Sequence, residues 1–131
     1  MALAWVLGQS STLASLNLTC TGIGDGGAGT LAWMLGQCSS LAMLDLSYNH
    51  TGDAGAGHLA GGLEQCSLLT ELYLAHNYIG EGARRLAGLF VRCSLLTTLR
   101  LSGNVIGDDG LDGLEEAGVS GQDCLSGKEE W

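Results

Sequence analysis

The chain repeats itself about every 28 residues. A helix-like segment recurs four times, reading LAWVLGQS at 3–10, LAWMLGQC at 31–38, LAGGLEQC at 59–66 and LAGLFVRC at 86–93. A leucine triplet with the spacing L-x-x-L-x-L follows each copy, and the triplets begin at Leu13, Leu41, Leu69 and Leu96. A period of this size is typical of a solenoid, in which each unit buries its apolar side only against its neighbours.

Two spacings inside each unit predict a strand followed by a helix. The last two leucines of each triplet alternate with other residues, which indicates one face of a short strand. The second half of a unit spaces apolar residues at three and four, as in Ala28, Leu31, Trp33 and Leu35, which predicts a helix buried along one stripe. Acidic residues are expected to cap these helices at their N-termini. The capping candidates are Asp25, Asp53 and Asp108.

Stacked units of this kind predict an α/β fold. Right-handed crossovers would give a solenoid of about four strand–helix units, with a parallel sheet on one side and helices on the other. We expect a repeat domain over 1–116 and a flexible acidic tail over 117–131. The expected units lie near 11–38, 39–66, 67–93 and 94–116, preceded by a partial repeat helix at 2–10.

Composition narrows the classes of function. Apolar residues make up 46% of the chain, too many for an intrinsically disordered protein. The net charge of −9 argues against nucleic acid as a partner, because nucleic-acid binders need a basic surface. No apolar run reaches the ~18 residues of a membrane span, so no membrane partner is expected. The acids concentrate after residue 107, as a solvated tail or, alternatively, as an acidic docking peptide.

The unit pattern resembles a known family. Three residues after each triplet stand Thr21, Asn49, Asn77 and Asn104. The pattern L-x-x-L-x-L-x-x-N resembles the leucine-rich repeat, most closely the ribonuclease-inhibitor-like form shared with NOD-like receptors and Ran GTPase-activating proteins. That resemblance implies a leucine-rich-repeat solenoid with its sheet on the concave side, an asparagine ladder, and protein binding on the concave face. Thr21 departs from the pattern, as does the end of the last unit at 119–121.

The glycine-rich segment at 22–27 has a second possible reading. It matches the dinucleotide-binding spacing G-x-G-x-x-G between a strand and a helix. The same place in the other units is also rich in glycine, so we interpret the segment as the strand-to-helix turn of the repeat. Nucleotide binding is the less favoured alternative.

No cofactor, metal site or catalytic set is expected. Cys38, Cys66 and Cys93 share one repeat position, which predicts buried, reduced thiols and not a zinc site. Five cysteines at this spacing favour a reducing compartment and a cytoplasmic location. The three histidines are scattered, and no nucleophile–base pair is evident. We therefore expect a binding protein and not an enzyme.

The outer face of the sheet is the expected binding surface. Between the leucines stands a central row, Asn17, Asp45, Tyr73 and Arg100, and the adjoining loops add Tyr48, His50, His76 and Tyr78. Tyr73 and Arg100 are the expected anchors, since tyrosine and arginine are common at binding hot spots. The sheet alone is narrower than a standard interface of ~800 Å² per partner, so the loops must contribute.

The partner is expected to be a protein of unknown identity. The alternative function is regulation, by inhibition or activation, of an enzyme such as a ribonuclease or a small GTPase. The GTPase-activating members use an arginine near their N-terminal repeats, and here nothing basic precedes Arg84. Because the chain begins inside a repeat helix, we also expect either a longer array or self-association through an uncapped N-terminal repeat.

Overall fold

The computed structural model describes residues 12–118. Its strands are β1 (Ser15–Asn17), β2 (Met43–Asp45), β3 (Glu71–Tyr73) and β4 (Thr98–Arg100). Its helices are α1 (Asp25–Leu35), α2 (Asp53–Leu63), α3 (Ala83–Ala87), α4 (Leu89–Arg92) and α5 (Asp108–Glu116). The expected partial helix at 2–10 and the acidic tail beyond residue 118 lie outside the described residues.

The four strands form one parallel sheet in chain order, as the repeat predicts. Leu16, Leu44, Leu72 and Leu99 pair in register across the sheet. The last two leucines of each later triplet are fully buried, whereas Leu16 and Leu18 of the first triplet are half-buried. The α/β architecture with one strand and one helical segment per unit is therefore confirmed.

The helices cover one side of the sheet through a narrow apolar stripe. In α1 the positions Ala28, Leu31 and Leu35 recur every three or four residues and are fully buried. Trp33 was expected on that stripe, and this was wrong, because its side chain is 67% exposed. Two residues of helix rotate a side chain by about 200°, so Trp33 points away from the face that carries Leu31.

The third unit departs from a single helix. Its helical part divides into α3 and α4, with Gly88 between them. Several amides there bond to the carbonyl three residues back, including Ala83 to Gly80 and Gly88 to Arg85, which is the tighter 3₁₀ pattern. This unit is one residue shorter than its predecessors, and the residue is missing just before the helix. The shorter connection accompanies the tighter winding.

The helix-starting aspartates do not cap their own helices, contrary to expectation. The N-cap residues are Gly24, Gly52 and Gly107, and none of these termini has a side-chain cap. Asp25 Oδ1 accepts instead from the amides of Gly52 and Gly55 in the next unit, at 2.7 and 2.9 Å. The Asp53 carboxylate does the same one unit later, so these side chains join neighbouring units.

The asparagine column forms the expected ladder. Asn77 Nδ2 donates to the carbonyls of Leu46 and Leu74 at 3.0 and 3.1 Å, and its Oδ1 accepts from Thr51 N at 3.0 Å. Asn49 and Asn104 make equivalent bonds. Thr21 ends the ladder, since its hydroxyl donates to Leu18 O of its own unit at 2.6 Å.

The repeat cysteines are free and buried, as predicted. The Cys66 thiol donates to Leu35 O at 3.3 Å and the Cys93 thiol to Leu63 O at 3.5 Å. Leu35 and Leu63 are the last residues of α1 and α2, where helix carbonyls lack partners within the helix. Each thiol therefore serves as a small apolar filler and as a weak donor to the preceding helix end.

Candidate protein-binding face

The side of the sheet opposite the helices displays two rows of side chains. We call this surface the sheet face. Its first row is Ser15, Met43, Glu71 and Thr98, and its second row is Asn17, Asp45, Tyr73 and Arg100. All of these residues are half-buried or exposed, because they alternate with the buried leucines. The structure therefore brings Asp45, Tyr73 and Arg100 together, on adjacent strands.

Local hydrogen bonds hold the polar side chains of the sheet face. Asp45 Oδ1 accepts from Ser47 N at 2.9 Å, and Asn17 Oδ1 accepts from Thr19 N at the same distance one unit earlier. The Tyr73 hydroxyl donates to Glu71 Oε1 at 2.8 Å. These contacts restrain the carboxylates before any partner arrives.

The ionisation of Tyr73 reports the charge around it. Its hydrogen bond to Glu71 raises the pKa of the Tyr73 phenol, with further increases from desolvation and from the Glu71 charge. Arg100 lowers the pKa of the phenol and Asp45 raises it, and the net shift is upward. The hydrogen bond to Glu71 and burial together therefore outweigh the nearby positive charge of Arg100.

The loops that follow β2 and β3 carry four aromatic side chains, which we call the aromatic patch. Tyr48 stacks on His76 with ring centroids 4.4 Å apart and an interplanar angle of 14°. His50 stacks on Tyr78 at 5.9 Å and 13°. Tyr48 and Tyr78 are 55% and 61% exposed. The patch is therefore a pre-stacked, largely unburied aromatic surface beside the sheet face.

Unusual backbone geometry supports the first stack. Cys20, Tyr48, His76 and Gly103 occupy one repeat position, and all four have positive φ, between 55° and 75°. A Cβ at Gly103 would collide with the imidazole of His76. The ring of His76 therefore lies between Tyr48 and the bare backbone of the last unit, where a side chain would displace it.

Sequence reasoning placed these residues but missed their pairing. Tyr48 and His76 are 28 residues apart, as are His50 and Tyr78, so the period itself could have predicted two columns of stacked rings. Positive φ at Tyr48 has no such signal, because tyrosine rarely adopts that conformation, whereas histidine is among the residues enriched there.

The opposite side of the molecule, the helix layer, carries the other arginine side chains and an open depression. Arg84 and Arg92 lie on the helix layer and form ion pairs with Glu116 and Glu64 at 3.5 and 3.4 Å. An open depression of about 750 Å³ beside Asp53, Arg84 and Asp109 has both signs of charge in its wall. Mixed charge of this kind favours no simple anion or cation.

Other candidate sites gain no support. Gly22–Gly27 spans the turn into α1, where a Cβ on Gly22, Gly24 or Gly26 would meet nothing within 4 Å. Within residues 12–118, no three histidine, cysteine or acidic side chains converge as a metal site. No helix in that range is long and apolar enough to cross a membrane.

Comparisons agree with the repeat architecture. A family model described as "Leucine Rich repeat" matches residues 9–32, 37–60 and 92–114, more than half of the chain. The search of curated proteins returned no match. The ribonuclease-inhibitor-like subclass stays a prediction.

Two solved structures are similar to this chain over most of its length. The tropomodulin C-terminal domain of Caenorhabditis elegans has a TM-score of 0.79 at 13% identity, covering 98% of this chain and 84% of that one. A structure described as "Leiomodin-1 Actin-Binding Site 2 (ABS2)" has a TM-score of 0.75 at 16% identity, covering 87% and 69%. At these sequence identities the similarity shows a shared fold and nothing more.

Proposed function

Because the chain belongs to the leucine-rich repeat family, we propose that it is a protein-binding module whose partner docks on the sheet face and the aromatic patch. The observation that carries this proposal is the exposed pair of stacks, Tyr48 on His76 and His50 on Tyr78. Large apolar surface that is left exposed on a rigid frame usually marks an interaction site. Tyr73 and Arg100 remain the proposed anchors on the adjoining strands.

The proposal fits the dimensions of the surface. Four strands spaced ~4.8 Å apart give a face only about 15 Å across, which is narrow for a standard interface. The aromatic patch extends that face beyond the ends of β2 and β3. Stacked rings also lose little conformational entropy on binding, because their neighbours already restrict them.

The finer parts of the function are proposals as well. The buried free thiols are compatible with a reducing, cytoplasmic location. Regulation of a ribonuclease or of a small GTPase would be a special case in which the bound protein is an enzyme. The leiomodin-1 structure is described as an actin-binding site, so actin is one protein to include among the trial partners.

The test compares partner capture by matched variants. Full-length chain is immobilised, and captured proteins are quantified for wild type and for Tyr48→Ala, Tyr78→Ala and Arg100→Ala. We expect each change to weaken capture of the same partner about fivefold or more, since interface tyrosine and arginine truncations often cost over 1 kcal/mol. Circular dichroism checks that each variant is folded.

The helix layer supplies the control. Trp33→Ala removes a large exposed aromatic side chain, and Arg92→Ala removes an exposed arginine, both from the opposite side. Capture should stay within about twofold of wild type for these two variants. If the helix-side changes weaken capture more than the sheet-side ones, the proposed binding face is wrong.

A further inference from the structure

Positive and negative side chains lie on different strands of the sheet face. Asp45 on β2 and Glu71 on β3 are acidic, and Arg100 on β4 is the only basic residue of the four strands. Within the described range, neither acid has an ion-pair partner. The ion pairs there join Arg84 to Glu116 and Arg92 to Glu64, on the helix layer. Two uncompensated carboxylates therefore face the same side.

Each of these carboxylates is held through one oxygen. Asp45 Oδ1 accepts from Ser47 N, and Glu71 Oε1 accepts from the Tyr73 hydroxyl. Both donors are neutral, so the hydrogen bonds fix the carboxylates without cancelling their charge. No hydrogen bond within residues 12–118 engages Asp45 Oδ2 or Glu71 Oε2. These oxygens remain available to a charged donor.

The ring of Tyr73 belongs to the same surface as the two acids. Tyr73 pairs with Asp45 across one strand spacing of ~4.8 Å and follows Glu71 by two residues, or about 6.6 Å along the strand. Its side chain is partly exposed. Besides the Glu71 hydrogen bond and burial, the charges of Glu71 and Asp45 also raise the pKa of its phenol. The site thus combines an aromatic ring with restrained negative charge.

Resting on the proposed function, we propose that the sheet face docks a protein segment that presents an arginine side chain to Tyr73, between Asp45 and Glu71. A guanidinium is flat, so it can stack on a ring while its N–H groups donate to carboxylates at its edge. A lysine ammonium supplies the charge without the plane. The two carboxylates, without ion-pair partners in the described range, favour the approach of a cationic segment.

The experiment uses a blocked five-residue peptide, Gly-Ser-Arg-Ser-Gly, titrated into isotope-labelled full-length chain. Chemical-shift changes of the backbone amides give the location and the dissociation constant. Matched peptides replace arginine with lysine, citrulline or glutamate, and citrulline keeps the shape without the charge. We expect amides of β2 and β3 to move, and affinity to fall in the order arginine, lysine, citrulline. We also expect weakening by salt.

Isosteric variants test the two acids. Asp45→Asn keeps the oxygen that accepts from Ser47 N, and Asn17 makes the same contact naturally on β1. Glu71→Gln keeps the acceptor for Tyr73. Each variant should weaken the arginine peptide about two- to fivefold, the range of a partly exposed charge pair. The control Glu81→Gln removes an exposed charge away from the sheet and should leave the affinity unchanged.

The outcomes separate this inference from the function on which it rests. If citrulline or glutamate peptides move the β2 and β3 amides as strongly as the arginine peptide, the arginine preference is wrong while the binding face stands. If arginine peptides move only helix-layer amides, both are wrong. The absence of any shift at 10 mM peptide also overturns the arginine inference, and the capture experiment then decides the binding face independently.

Discussion

Asn77 connects two repeat units through one buried side chain. It donates to carbonyls of both its own unit and the preceding one, and it accepts from Thr51 N. Its position could be predicted, because the amide recurs at a fixed distance from the leucine triplet. Its partners follow from the amide chemistry, since an asparagine has both donors and an acceptor.

Replacement of this asparagine should be costly. Asn77→Ala leaves the buried Thr51 N–H without its partner, while Leu46 O and Leu74 O keep the amides of Asn49 and Asn104. We therefore expect the free energy of unfolding to fall by about 1–3 kcal/mol. Urea denaturation followed by circular dichroism measures the change. Asn17→Ala is the matched control, because Asn17 is exposed and its side chain bonds, within residues 12–118, to Thr19 alone. A loss as small for Asn77→Ala as for the control would contradict the role of the ladder.

Other residue-level features could not be derived from the sequence. Asp25 was expected to serve its own helix, yet it bonds to the amides of Gly52 and Gly55 in the next unit. Local rules consider only the helix that begins at the residue. Here a glycine occupies each N-cap, and the turn of the next unit offers free amides close by. These competing donors come close to Asp25 only when the units are stacked.

At the level of elements, the sequence predicted the strands better than the helices. The register of Leu44, Leu72 and Leu99 follows directly from the period. The division of the third helical segment into α3 and α4 does not, because one missing residue alters the winding of several that follow it. Helix spacing also depends on glycines whose contacts only the structure reveals.

Two adjacent glycines of α2 provide a direct test of the helix packing. A Cβ at Gly62 would overlap the backbone oxygen of Ala32 and lie 2.7 Å from its carbonyl carbon. Gly62→Ala should therefore lower the free energy of unfolding by about 1–3 kcal/mol, since backbone must move. At Gly61 a Cβ meets nothing within 4 Å.

Gly61→Ala is the matched control in the same helix. Alanine has the higher helix propensity, so this variant should be about 0.5–1 kcal/mol more stable than wild type. Thermal and urea denaturation of both variants give the comparison. Equal effects at the two positions would show that α1 and α2 do not approach as closely as the structure indicates.

On the scale of the whole molecule, the buried thiols make the free energy of unfolding sensitive to pH in the alkaline range. Desolvation, with smaller contributions from Cys38 and Cys93, raises the pKa of the Cys66 thiol from 9.0 to about 12. Burial also raises the pKa of Cys93. Between pH 9 and 12 the unfolded chain loses the Cys66 proton before the native chain does. Stability is therefore retained below pH 9 and falls as the pH rises above it.

This dependence can be measured by urea denaturation at pH 8 and pH 10. Wild type should lose stability over that interval, at a limit of about 1.4 kcal/mol per pH unit for one proton. Cys66→Ala should show a smaller loss between the two pH values, whatever its absolute stability. Cys20→Ala removes an exposed thiol and should keep the wild-type difference. The same pH dependence in both variants would exclude Cys66 as its source.

The ladder of amides gives the stack a polarity. Each asparagine reaches back to the unit before it, as Asn49 does to Leu18 O and Asn104 to Leu74 O. Each unit thus supplies an amide donor to the preceding unit and a carbonyl acceptor to the following one. For protein engineering, a repeat grafted after β4 would bring its own asparagine, which could donate to the last unit. A repeat grafted before β1 would receive no such bond from Thr21, because the Thr21 hydroxyl already donates to Leu18 O of its own unit.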